Sequence, residues 1–269
     1  MTGAATLARN LDLLESSVPV PESLRPWLID LGRIPTVTDL NGAFVYTPHA
    51  LTSVVLRTET SGRSEAFVVG PQTRASYSMP DKPGGCLRIR LAPGTTQQLL
   101  GVRAAELADG VFALADMPGA VGVLANELAH RPAVDVLSFL EEALPQYISE
   151  TDTQRSHRRL LRDAVEVIGS GAAPAIPDLA AELTVSERQL RNLFATGIGV
   201  SPKHFERICR VRGVLAQTGA SPWSEVAVAA GYYDQSHLSA DFRSLMGVPP
   251  ATFFRGELPA PTACRSPNR

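Results

Sequence analysis

The chain has 269 residues, 44% of them hydrophobic and 19% charged, with a formal net charge of −2 and a mean hydropathy near zero. That length suits roughly two domains of about 100–200 residues, with cores that need no covalent staples. No run approaches the roughly 20 apolar residues of a membrane span, residues 1–10 lack the basic start and long apolar core of a secretory signal, and Cys86, Cys209 and Cys264 lie far apart without a CxxC partner. A membrane span, secretion, a disulfide framework and a zinc site are therefore set aside, and a cytoplasmic protein is expected.

The charge is uneven. Residues 1–154 carry 11 Lys+Arg against 17 Asp+Glu, whereas residues 155–256 carry 12 against 9. An acidic front and a basic back suggest two tasks, with the back as the candidate for nucleic acid. Only Lys82 and Lys203 are lysine; arginine suits bidentate contacts to bases and phosphates, although codon usage gives the same skew.

In chain order, residues 7–14 carry a short helical pattern, followed by a proline-rich connector (Pro19, Pro21, Pro26). Residues 34–91 hold short β-prone runs at 52–60, 65–69, 74–77 and 86–91, divided by Ser61-Gly62, Gly70-Pro71 and Pro83-Gly84-Gly85. Such spacing predicts a small β-barrel or sandwich, and the alternation in Leu87-Arg88-Ile89-Arg90-Leu91 puts two arginines on one face. Helices are predicted at 95–101, 118–130 and 132–148, the last two opened by proline. Leu137, Leu140, Leu144 and Ile148 make an apolar stripe that serves either the domain core or a dimer contact. Residues 150–154 read as a polar linker, and the Pro-, Ala-, Ser- and Arg-rich tail after Leu258 as disordered.

The back half reads as helices throughout. One spans 157–168 and ends at Gly169-Ser170-Gly171. Another, 177–183, meets a tight turn at Thr184-Val185; Ser186 then caps helix 187–194, with Gln189 as its capping-box partner. Leu179, Leu183, Leu190 and Phe194 can share a core, which leaves Arg188, Gln189, Arg191 and Asn192 on another face. A short helix, a turn, a cap and a polar-faced helix make the layout of a DNA-reading motif. The layout recurs. Ser221-Pro222 opens helix 223–230, Gly231 turns, Tyr232 packs, Asp234 caps and helix 235–243 follows, stopping at Gly247 before a last short helix at Pro249-Pro250. Between the units runs a helix from 202 to about 217, a strut of about 24 Å. Arginine, asparagine and glutamine match guanine and adenine edges, so Ser186, Arg188, Gln189, Arg191, Asn192, Gln235, Ser236 and His237 are candidate DNA contacts. Lys203 and Arg243 are candidate phosphate contacts.

Gly231-Tyr232-Tyr233-Asp234-Gln235-Ser236-His237-Leu238-Ser239, then Phe242-Arg243, Gly247-Val248-Pro249-Pro250 and Phe253, resemble the signature of the AraC/XylS family. Leu179-Ala180, Ser186-Glu187-Arg188-Gln189-Leu190, Phe194, Gly199, Ser201-Pro202-Lys203 and Arg210 fit the same domain at the right distances. The resemblance covers residues 155–256 and implies a seven-helix domain with two reading helices in adjacent major grooves, joined to a sensing or dimerising front domain. Leu238 stands where the family usually has Phe, Ala240 where a basic residue is frequent, and Asp241 adds an acid nearby. The first reading helix is thus expected to do more of the base reading.

The front, at Arg88-Ile89-Arg90-Leu91-Ala92-Pro93-Gly94, Leu99-Leu100-Gly101-Val102 and Ala105-Glu106-Leu107, faintly resembles the β-rich N-terminal domains of some such regulators. This implies a cupin-like half-barrel. A ligand would enter the barrel mouth, with Tyr46, His49, Tyr77, Arg88 and Arg90 as candidates by chemistry; each also has a plain structural reading. The five histidines form no metal or protease pattern, and no P-loop, GxSxG or GxGxxG in context appears, so neither an enzyme nor a cofactor is expected.

The expectation is an α+β, two-domain protein: a β-rich regulatory domain over 1–150, a double helix-turn-helix domain over 155–256 and a tail over 257–269. It would be a sequence-specific transcription regulator binding double-stranded DNA, with a small-molecule effector, RNA polymerase (if an activator) and a second copy as possible partners. The alternative is a front domain that only binds protein or dimerises.

Overall fold

The computed structural model describes residues 9–10, 14–38, 42–62, 64–79, 83–171, 174–217 and 221–263. The front half is built on two sheets. The larger runs β2 (Ser16–Val18), β3 (Leu28–Val37), β8 (Gly84–Leu91), β5 (Ser53–Glu59), β6 (Ser64–Val69) and β9 (Val111–Ala113), all antiparallel. The smaller runs β1 (Arg9–Asn10), β4 (Phe44–Tyr46), β7 (Ser76–Met79) and β10 (Thr262–Ala263). The expected strand runs are found, extended by a ten-residue β3 that begins before Ile34. The alternation in β8 works as anticipated on one side: Leu87, Ile89 and Leu91 join Leu31, Val54, Leu56 and Val68 in the front core. On the other side Arg88 and Arg90 are not solvated. Arg90 binds Asp30 at 2.7 Å and Glu15 at 2.7 Å, and Arg88 binds Glu15 at 3.1 Å.

Short helices cover the buried face of the larger sheet: α1 (Thr96–Leu100), α2 (Ala120–Val123), α3 (Ala125–His130) and α4 (Val136–Tyr147). The single helix expected over 118–130 divides at Leu124, which is buried among the core leucines. The stripe on α4 serves the core: Leu140 and Leu144 are buried in it, and Leu137 and Ile148 pack against it.

The expected linker at 150–154 is instead the start of a helix. α5 (Asp152–Gly169) opens on a capping box in which Thr151 accepts from the Gln154 N–H and Gln154 accepts from the Thr151 N–H. Arg158 of α5 makes two bonds to Glu150, at 2.8 and 2.9 Å, donates to the Pro26 carbonyl at 3.0 Å and lies over the Trp27 ring. These bonds from Arg158 hold the Glu150 carboxyl below its ordinary value. A depressed folded value means a contribution to stability that is full above the unfolded glutamate value of about 4.3 and is lost as pH falls through the folded one. Glu150→Gln should therefore lower unfolding stability near neutral pH and converge with the parent chain in acid; an equal deficit at every pH, by denaturant titration, would contradict the ion-pair account. The tail also departs from expectation, since Thr262–Ala263 pair in parallel with Ser78–Met79. The helical pattern at 7–14 falls mostly outside the described residues, and Arg9–Asn10 pair as strand with Phe44–Val45.

Among the described residues the back half holds α5, α6 (Ile176–Glu182), α7 (Glu187–Gly197), α8 (Pro202–Ala216), α9 (Trp223–Ala229), α10 (Gln235–Met246) and α11 (Pro250–Phe254), the seven helices that the resemblance implies. Their core takes in Val45, Ala50 and Tyr77 from the front half. Polar bonds reinforce this join. The Ala75 N–H donates to the Leu245 carbonyl at 2.8 Å and the Tyr77 hydroxyl to the Met246 carbonyl at 2.6 Å. Arg212 reaches Thr47 Oγ1 at 3.0 Å, and the His204 ring faces the Thr73 carbonyl at 3.2 Å.

Candidate nucleic-acid interface

The two helix-turn-helix units repeat the same turn bond, cap and buried anchors. In the first, the Val185 N–H returns to the Ala180 carbonyl at 3.0 Å; in the second, the Tyr232 N–H returns to the Ala227 carbonyl at 2.9 Å. Each turn passes through one left-handed residue, Thr184 at φ 57° and Gly231 at φ 74°. Glycine adopts that conformation without cost, but a β-branched threonine does not, so the first turn is held by its surroundings rather than by its own preference. The caps follow. The Ser186 hydroxyl accepts from the Gln189 N–H, and the Asp234 carboxylate from the His237 N–H at 2.7 Å. Four and eight residues beyond each cap lie the buried anchors, Leu190 and Phe194 in α7 and Leu238 and Phe242 in α10, all 0% exposed. The second unit carries one extra residue between turn and cap, Tyr233, which is 92% exposed.

Counting from the caps aligns the outward faces. Arg188, Gln189, Arg191 and Asn192 stand where Ser236, His237, Ser239 and Ala240 stand in the second unit. All eight are exposed except Ser239, which is half-buried. The first face thus offers four long or amide side chains and the second offers short ones. Among the described residues no hydrogen bond or ion pair occupies Arg188. Arg191 pairs with Glu187 one turn back. That pair is exposed, and such i,i+4 pairs contribute about 0.3–0.5 kcal/mol, too little to hold Arg191 from a phosphate or a base edge.

Of the other candidates, Gln235 and Arg243 are exposed on α10, and Lys203 at the start of α8 pairs with Glu206 at 3.0 Å. Ser186 spends its hydroxyl on the cap. Asp241 is not a charge on the exposed face. It is 9% exposed and accepts from Arg207 of α8 at 2.8 Å, a partnership hidden from the sequence because the two lie 34 positions apart. The front candidates are not brought together. The Tyr77 hydroxyl is committed to Met246, Tyr46 packs beside Ile34 and Phe44, His49 Nδ1 accepts from the Leu51 N–H at 3.1 Å, and Arg88 and Arg90 meet Glu15. Burial pushes the Cys86 and Cys209 thiols up to about 11, which keeps both protonated and unreactive at neutral pH. Among the described residues no group of three or more His, Cys, Asp or Glu could hold a metal, and no helix is long and apolar enough to cross a membrane.

Comparison with known proteins agrees with the back-half geometry. Residues 179–256 match the model of a helix-turn-helix domain. Over 85 residues the chain is 34% identical to the HTH-type transcriptional regulator GbdR of Pseudomonas aeruginosa, an overlap of 30% of this chain and 23% of that regulator. The chain thus spans under a quarter of the curated relatives it matches. Among solved structures, a Chromobacterium violaceum regulator described as AraC-type is 21% identical, covering 38% of this chain and 96% of its own, with a TM-score of 0.35. ToxT of Vibrio cholerae is 13% identical, covering 84% and 96%, with a TM-score of 0.41.

Proposed function

We propose that the chain is an AraC-type, sequence-specific DNA-binding transcription regulator acting in the cytoplasm by binding rather than by catalysis, since residues 179–256 match a helix-turn-helix domain. The observation that carries this is the repeated unit: the same turn bond, cap and two buried anchors, with four outward positions left over on each reading helix. The helices would enter successive major grooves, about 34 Å or one turn of DNA apart, so the operator spans about 17–20 base pairs. Arg188 and Arg191, with Gln189 and Asn192, read bases; Gln235, Ser236 and His237 contribute less, and Lys203 and Arg243 hold backbone.

Arg188→Ala should cost about 1–3 kcal/mol in specific affinity and relax preference at the base it reads, since a bidentate guanine contact is of that size. Selection of bound duplexes from a random pool checks both the wild type and the variant. No enriched sequence with the wild-type chain would sink the proposed function; an unaltered enriched sequence with Arg188→Ala would sink only the assignment of Arg188.

The front domain is proposed as the regulatory half. Its support is mechanical: strand β7 and the residue before it bind the last carbonyls of the second reading helix through Ala75 and Tyr77. A small-molecule effector acting there would raise the unfolding temperature of the full chain, as any ligand selective for the folded state must. A screen of diverse metabolites with no shift would favour the protein-interaction alternative.

A further inference from the structure

The strut between the two units carries a polar face that meets both of them. On α8, Lys203, Glu206, Arg207 and Arg210 recur at spacings of three and four, so they share one side of the helix. At the first unit, Lys203, Glu206 and Arg210 line a recess of about 470 Å³ together with Glu187 and Arg191 of α7. Glu206 is 8% exposed and accepts from both Lys203 and Arg210. At the second unit, Arg210 lies over the Tyr232 ring at 5.5 Å, directly after the Gly231 turn. Arg207 binds Asp241 at 2.8 Å and Ser244 Oγ at 3.1 Å, both on α10. Charged residues on one face of α8 thus border the first reading helix in that recess and bond directly to the second.

One apolar cluster joins both units to the strut, but apolar burial is non-directional, and the ring pairs Phe194 with Phe205 and Phe242 with Phe253 lie within a unit or between a unit and its near end of α8. A guanidinium that bonds a carboxylate and a hydroxyl on the facing helix is directional. Buried ion pairs contribute little net stability, because desolvation offsets their attraction, and their best attested use is to fix register. The Asp241 pair fits that use, since its second oxygen, Oδ2, is buried without a hydrogen-bond partner among the described residues, an arrangement poor for stability alone.

We infer that Arg207 and Asp241 are positioning residues that fix the angle between α7 and α10, and so set the spacing between the two DNA segments the protein accepts. They touch no base. The DNA part of this rests on the function proposed above, whereas the angle itself does not.

Two readouts separate the two. Spin labels at the exposed positions 192 and 240, in a full-length chain whose three native cysteines are serine, report the distance between the reading helices without DNA. Asp241→Asn should broaden that distribution, and the reversed pair Arg207→Asp with Asp241→Arg should narrow it again. Arg207→Gln, at the more exposed partner, makes the same test if Asp241→Asn does not fold. An unchanged distribution in the variants overturns the inference. In binding, duplexes whose half-sites are moved by one base pair should be disfavoured about tenfold by the wild type, the factor that 1.4 kcal/mol represents, and the preference should flatten in Asp241→Asn. A variant that loses affinity equally at every spacing has a merely structural pair, which also overturns the inference. A wild type that binds no sequence selectively while the label distances respond refutes the DNA reading and leaves the angle assignment standing.

Discussion

Phe194→Ala is expected to destabilise the chain by about 3–5 kcal/mol, the range for removing a phenylalanine from a closed core. Phe194 is 0% exposed and meets the Phe205 ring edge-on with centroids 5.8 Å apart. The edge-on pair adds about 0.5–1.5 kcal/mol beyond area burial. The residue sits eight positions after the cap, on the inward side of the helix whose outward side carries Arg188, Arg191 and Asn192. Its carbonyl also accepts from the Ile198 N–H at 2.9 Å and the Gly199 N–H at 2.8 Å, which end α7. Loss of the ring therefore loosens the reading helix as well as the core. Thermal or denaturant unfolding measures the first effect and operator affinity the second. Phe194→Leu, which keeps most of the volume, should cost far less. A cost under about 1 kcal/mol for Phe194→Ala would mean that the site collapses to fill the void, and that the helix does not depend on this anchor.

Much of the back half could be read from sequence because its determinants are local. Caps three residues from the N–H groups they accept from, a glycine at the second turn and apolar positions at helical spacing all lie within one window, and Ser186, Gly231, Asp234 and Phe242 take the places expected of them. The Thr151–Gln154 capping box was equally local. Its pattern stood in the sequence, but the polar residues around it suggested a linker.

The rest depends on partners distant in the chain. Nothing near Asp241 announces Arg207, and nothing near Tyr77 announces the Met246 carbonyl, 169 positions away. For that reason the sequence alone sets the charge of Asp241 beside the second reading face, whereas the side chain is buried against Arg207. On the front sheet, period-two alternation gave the two faces of β8 correctly, yet it could not say that the arginine face would be covered by Glu15 from 73 residues earlier. Helix 118–130 divided at Leu124 because tertiary packing overrides a propensity that is weak in a run as short as this.

That covered face yields the second large effect. Glu15→Ala is expected to cost about 3 kcal/mol, near the lower end for breaking a buried ion pair. The Glu15 side chain is 7% exposed and its Oε2 serves both Arg88 and Arg90, whose side chains are 15% and 12% exposed. Removing it leaves two guanidinium groups short of a shared carboxylate in a site poor in water. Two features keep the figure from the top of the range. Asp30 still binds Arg90 at 2.7 Å, and Glu15 Oε1 is buried without a hydrogen-bond partner among the described residues, so deleting the carboxylate also relieves a desolvated oxygen worth about 1–3 kcal/mol. The net stability of the intact cluster is therefore small even though breaking it is costly. The site is shaped for this carboxylate: a Cβ on Gly32 would fall 1.4 Å from Glu15 Oε1. Gly32→Ala should thus reproduce most of the Glu15→Ala deficit by displacing the side chain, and the two changes combined should cost much less than their sum, because both remove the same contact. Additive losses in a double-mutant cycle would show that Gly32 and Glu15 act separately and that the carboxylate does not organise the arginine face.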